Sequence, residues 1–121
     1  MIPPITRTQL GERTCVVSAP QRLDAAGARR LEHGIAEAME EGCRDFVLDF
    51  TAVRACHDRR PTAILARLAH RLVADGCEVV VAARSLDLLA FFDSVPTWSK
   101  LPLALARDEA LALLLERPVE A

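Results

Sequence analysis

Two short runs of this chain are apolar almost without interruption, and they constrain its fold more than any other feature. One is Phe46-Val47-Leu48-Asp49-Phe50; the other is Val79 to Ala83 within EVVVAA. A strand with apolar residues on both faces must be covered on both, which points to a sheet flanked by helices rather than a sheet with one wet face. Between the runs, PTAILARLAHRL places Ile64, Leu65, Leu68 and Leu72 at three- and four-residue spacing, the stripe of an amphipathic helix. Strand, helix and strand in succession imply parallel neighbours joined by a right-handed crossover. The loop entering that helix is dense in polar groups: Cys56, His57, Asp58, Arg59 and Arg60. In an open α/β sheet, function collects in loops at the carboxyl ends of the strands, so this loop is the candidate site.

The flanking segments extend the same alternation. Pro3 and Pro4 exclude a central strand at the start, while Ile5 to Leu10 suits an edge strand that turns at Gly11-Glu12 into Thr14–Ser18. Asp24 is placed to cap a helix over Ala25–Glu41 with the stripe Ala28, Leu31, Ile35, Ala38 and Met39, and Gly42 ends it. Gly76 ends the second helix in the same way. Ser85 is expected to cap a short helix running to Val95, with Pro96 as its stop. Leu101–Leu105 reads as a last strand, and Asp108 as the cap of a closing helix. The order β-β-α-β-α-β-α-β-α predicts one α/β domain over residues 1–121. Its sheet is expected to be mixed but mostly parallel, with four to five strands and about four helices.

Composition narrows the function. The 121 residues carry a net charge of -2, one Trp and no Tyr, which gives neither the basic surplus nor the stacking surface of a nucleic-acid binder. MIPPITRTQL lacks the apolar core of a signal peptide, and no run is long enough to cross a bilayer. A cytoplasmic protein without membrane insertion is expected. Its four cysteines, Cys15, Cys43, Cys56 and Cys77, are then reduced, small apolar residues, and those at 15, 43 and 77 are expected to be shielded by strands.

Several chemistries can be weighed at the loop. Cys56, His57 and Asp58 are the residue types of a thiol catalytic set, but neighbours in sequence do not normally face one another as nucleophile, base and orienter. Cys43, Cys56, His57 and Cys77 lack the short paired spacing of a zinc site, so no metal and no cofactor is expected. His33 and His70 fall on polar helix faces. Asp58 is suited to cap the second helix, with Pro61 in its first turn. Arg59 and Arg60 are either solvated or contacts for an acidic partner or a phosphate. Phe91 and Phe92 adjoin on a short helix, one of them a candidate anchor for a partner.

Four segments at matching spacing carry a resemblance: Gln21-Arg22-Leu23-Asp24 at the first helix, Val47 to Val53 at the strand end, Asp75 to Val80 at the next strand, and Asp108 to Leu111 at the close. Together they resemble the STAS family, named for sulphate transporters and anti-sigma factor antagonists, from about Thr14 to Leu114. Family members that antagonise anti-sigma factors carry Asp-Ser-Ser-Gly where this chain has His57, Asp58, Arg59 and Arg60. The first of those serines is phosphorylated by the anti-sigma factor, a serine kinase of the histidine-kinase-like ATPase fold. The resemblance thus implies a bacterial regulator of transcription that binds an ATPase-type anti-sigma partner through Asp24, His57, Asp58, Arg59 and Arg60. Asp58 replaces the phospho-acceptor serine, either as a helix cap or as a partial imitation of a phosphoserine. A STAS subunit of a transport or multiprotein scaffold and a small thiol enzyme using Cys56 and His57 are the alternative readings.

Overall fold

A computed structural model describes residues 6–54 and 59–115, without the side chains of Arg59 and Arg60. The two apolar runs lie side by side: β3 (Asp45–Phe50) pairs in parallel with β4 (Glu78–Ala83), Phe46 opposite Val79 and Leu48 opposite Val81. On the other flank of β3, β2 (Thr14–Ser18) is also parallel to it, and β1 (Thr6–Gln9) closes that edge as the antiparallel arm of a hairpin. β5 (Leu103–Ala104) pairs in parallel with β4, so the sheet runs β1-β2-β3-β4-β5 in chain order. The mixed, mostly parallel sheet agrees with the expectation.

Alternation along the strands divides the core in two. Cys15, Val17, Phe46, Leu48, Phe50, Val79 and Val81 pack with α1 (Ala25–Glu40), α2 (Arg59–Ala74), α3 (Leu86–Ser94) and α4 (Pro96–Ser99). Val16, Val47, Val80, Ala82 and Ala104 point the other way and meet Ala110 and Leu114 of α5 (Arg107–Leu115). This double cover is why β3 and β4 are apolar at nearly every position.

α1 and α2 end in one and the same way. Gly42 and Gly76 take φ of +104° and +77°, which a side chain would strain. The N–H of Cys43 reaches back to the Ala38 carbonyl at 2.9 Å, and that of Gly42 to Met39 at 3.1 Å. Cys77 N–H to Leu72 at 3.0 Å and Gly76 N–H to Val73 at 3.1 Å repeat the pattern. This is the Schellman arrangement, in which the residue after the glycine makes an apolar contact with the last turn. Cys43 and Cys77 fill that position, which gives both a structural role.

The C-terminal half departs from expectation in four places. Pro96 does not only stop α3; it opens the extra helical turn α4, where its missing N–H is harmless. Ser85 precedes α3, yet its hydroxyl makes no cap; only its carbonyl accepts, from Leu89 N–H at 2.9 Å. β5 is two residues rather than five, since Pro102 has no N–H for the ladder. α5 starts at Arg107, so Asp108 lies inside its first turn, where it favours the helix dipole instead of capping.

Trp98 explains why α4 exists. Its ring is buried and stacks on Phe92 with centroids 4.5 Å apart, and Phe50 meets both rings at a tilt. Its indole N–H donates to the Leu65 carbonyl of α2 at 2.9 Å, which satisfies the one polar atom that burial would penalise. Phe92 is in the core and Phe91 half-buried against Phe92 and Trp98, so neither is the exposed anchor considered from sequence.

Candidate functional site

The candidate loop leaves β3 at Phe50 and enters α2 at Arg59. Its first half is firmly held. Asp49 is 7% exposed, and its Oδ1 accepts from the Thr51 N–H at 2.9 Å and the Thr51 hydroxyl at 2.6 Å. Its Oδ2 accepts from the Ser18 hydroxyl of β2 at 3.4 Å. The Val53 N–H closes a turn onto the Phe50 carbonyl at 3.0 Å, and the Val53 side chain is buried. A carboxylate inside an apolar run is therefore there to fold the strand end, its burial offset by these hydrogen bonds.

A second loop, from β2 to α1, lies against the first. The Ala19 N–H donates to the Asp49 carbonyl at 2.9 Å, and the Arg54 N–H to the Gln21 carbonyl at 3.0 Å. Leu23 is buried beneath it, and Asp24 caps α1 as the sequence implied, its Oδ1 accepting from the Gly27 N–H at 2.7 Å. The Asp24 backbone is extended, as a capping residue requires. Arg22 and Arg54 are exposed on the two loops joined by this bond, and neither was singled out as a site residue by the sequence. The only signal was their position, one in the Gln21–Asp24 motif and one in the polar loop.

Of the predicted site residues, Asp24 is seen in full. Arg59 and Arg60 form the first turn of α2, which contains no acidic residue. His57 and Asp58, and Cys56 with them, lie outside the described residues. The remaining thiols are shielded to different degrees. Cys15 and Cys43 are fully buried and Cys77 is half-buried. Loss of solvation pushes the Cys15 thiol up to about 11, with the nearby Cys43 adding to it, and burial raises Cys77 as well. His33 and His70 are exposed; His33 lies 2.6 Å from Glu37 one turn on. Among the described residues no cluster of three or more His, Cys, Asp or Glu could hold a metal. No described helix is long and apolar enough to cross a membrane.

No protein-family model and no curated protein matches the chain by sequence. Solved structures do match it by shape. An anti-sigma factor antagonist from Mycobacterium paratuberculosis superposes with a TM-score of 0.74 at 21% identity, covering 93% of each chain. A serine-to-glutamate form of RsbS from Moorella thermoacetica gives 0.72 at 14% identity, over 92% of this chain and 94% of that one. The anti-sigma factor antagonist SpoIIAA in its unphosphorylated form gives 0.72 at 13% identity, over 92% and 96%. The β1-β2-β3-β4-β5 sheet with its helices on two faces is thus shared across almost the whole length, and the chain has the STAS fold of the anti-sigma factor antagonists.

Proposed function

We propose that this protein is a regulator that acts by binding another protein, in the manner of an anti-sigma factor antagonist, and that it is not an enzyme. The observation that carries the reading is the near-complete structural overlap with proteins named as anti-sigma factor antagonists. The disposition of polar groups supports it: the carboxylates of Asp24 and Asp49 are spent on backbone caps and turns, while Gln21, Arg22 and Arg54 are exposed on the described parts of the two loops. The binding surface comprises Asp24, His57, Asp58, Arg59 and Arg60, and the partner is an anti-sigma factor of the ATPase or serine-kinase type in the cytoplasm. With Asp58 at the acceptor position, the protein is not switched by phosphorylation there; Asp58 serves as the cap of α2. Affinity capture with the intact chain, followed by mass spectrometry and calorimetry on the purified pair, tests the reading. A captured ATPase-fold protein that binds in the micromolar range or tighter supports it, and capture of transporter subunits alone overturns it in favour of a scaffold role.

A further inference from the structure

α2 runs from the candidate loop back towards the amino end of the sheet, and its C-terminal part meets α4 across a cleft of about 390 Å³. The cleft therefore lies at the end of the molecule opposite the candidate loop. Two short stripes wall it: His70, Val73 and Ala74 at three- and four-residue spacing on α2, and Pro96, Lys100 and Leu101 on α4 and just beyond it. Val73, 50% exposed, gives its open side to the cleft. The two walls are tied together, because the Trp98 indole N–H of α4 donates to the Leu65 carbonyl of α2 at 2.9 Å. Ligand sites are clefts of roughly 300–1,000 Å³ with mostly apolar walls and a few polar groups, and this cleft has that size and make-up. The neighbouring cleft against Phe92 and Trp98 is about 90 Å³, less than the roughly 150 Å³ that takes a benzene ring.

The polar groups decide what the cleft takes. Lys100 supplies an ammonium on a flexible stem and His70 a ring N–H, whereas among the described residues no carboxylate lines the cleft. Asp75 follows Ala74 but is not part of the wall, and Asp93 lines the smaller cleft. Among the described residues neither the Lys100 nor the His70 side chain is engaged in a hydrogen bond or an ion pair. A cation beside an apolar wall is complemented by an anion that carries an apolar body. No aromatic ring lines the wall, so the body it suits is an aliphatic chain rather than a stacked ring. We infer that this cleft binds a small aliphatic monocarboxylate, with the chain along Val73, Ala74, Pro96 and Leu101 and the carboxylate at Lys100. The site lies apart from the loop to which the proposed function is assigned and stands independently of that reading.

Octanoate, kept below the concentration at which it forms micelles, is the probe, added to the intact chain labelled with nitrogen-15. Saturable movement of the Val73, Ala74, Thr97 and Lys100 amides is expected, with the Thr51 to Arg54 amides at the opposite end unmoved. Octan-1-ol has the same chain length without the charge and should bind at least about tenfold more weakly, a change of about 1.4 kcal/mol. Lys100→Glu should weaken octanoate by about tenfold or more and leave octan-1-ol within about threefold. Val73→Asp should abolish the binding of both. Lys100 and Val73 are exposed, so the core is untouched, and thermal unfolding checks that both variants fold. Arg29→Glu, at an exposed position of α1, is the control for net charge and should change octanoate affinity by less than about threefold. No saturable movement at the cleft, octan-1-ol binding as tightly as octanoate, or equal losses in Lys100→Glu and Arg29→Glu overturns the inference.

Discussion

At the scale of single residues, two carboxylates show how context decides a role. Asp24 and Asp49 are both near the candidate loop, and both are taken up by backbone and hydroxyl donors. Replacing Asp24 by alanine leaves the first N–H groups of α1 without that acceptor and should cost about 1 kcal/mol in urea unfolding, while Asp24→Asn should cost little. Equal losses in the two variants would show that the charge, not the cap, matters. Cys15 gives a second residue-level prediction. With its thiol held at about 11 by burial, the thiolate fraction at neutral pH is tiny, so Cys15 should resist alkylation in the native protein. The sign for stability follows. The folded chain keeps this proton more tightly than the unfolded one, whose thiol titrates near 8.5. Its contribution is whole below that value and is lost as pH rises towards about 11. A Cys15→Ala variant should show a shallower fall of melting temperature over that alkaline window; an identical fall would assign the loss to other groups.

At the scale of elements, α2 is what the site leans on. Leu68 faces the core at 2% exposure, and Leu68→Ala should cost about 2–5 kcal/mol, the range for a buried leucine whose cavity closes only in part. A loss under half of that lower bound in urea titration would mean the helix face had been misassigned. The ends of the helices matter as much as their faces. At Gly42 a φ of +104° confronts any side chain with left-handed strain, so Gly42→Ala should lose about 1–2 kcal/mol, measurable by thermal unfolding. Surface pairs are weaker contributors: Arg67 with Glu32 at 3.2 Å joins α2 to α1, and Arg7 with Glu41 at 2.9 Å ties β1 to the end of α1, both screened by water.

At the scale of the whole molecule, the question is how binding would be set. If Asp58 caps α2 and does nothing more, Asp58→Ser keeps a comparable cap, and calorimetric affinity for the captured partner should stay within a few-fold of wild type. A gain of tenfold or more, about 1.4 kcal/mol, at an unchanged melting temperature would show instead that Asp58 holds the protein in a weak-binding state as a phosphate would. Much of this molecule is legible in the order of its residues. Phe46 to Phe50 and Val79 to Ala83 could only be doubly covered strands, and Asp24, Gly42 and Gly76 bound the helices because caps and left-handed turns are written in local chemistry. What local chemistry could not decide was the C-terminal half and the shape of the site. α4 forms because Trp98 finds Phe92, Phe50 and the Leu65 carbonyl, partners up to 48 residues away from it in the chain. The two loops at the site meet because the Arg54 N–H reaches the Gln21 carbonyl, joining residues 33 positions apart. Caps and periodicity are short-range and can be read along the chain; burial and the meeting of loops are long-range, and only the folded sheet brings those residues into contact.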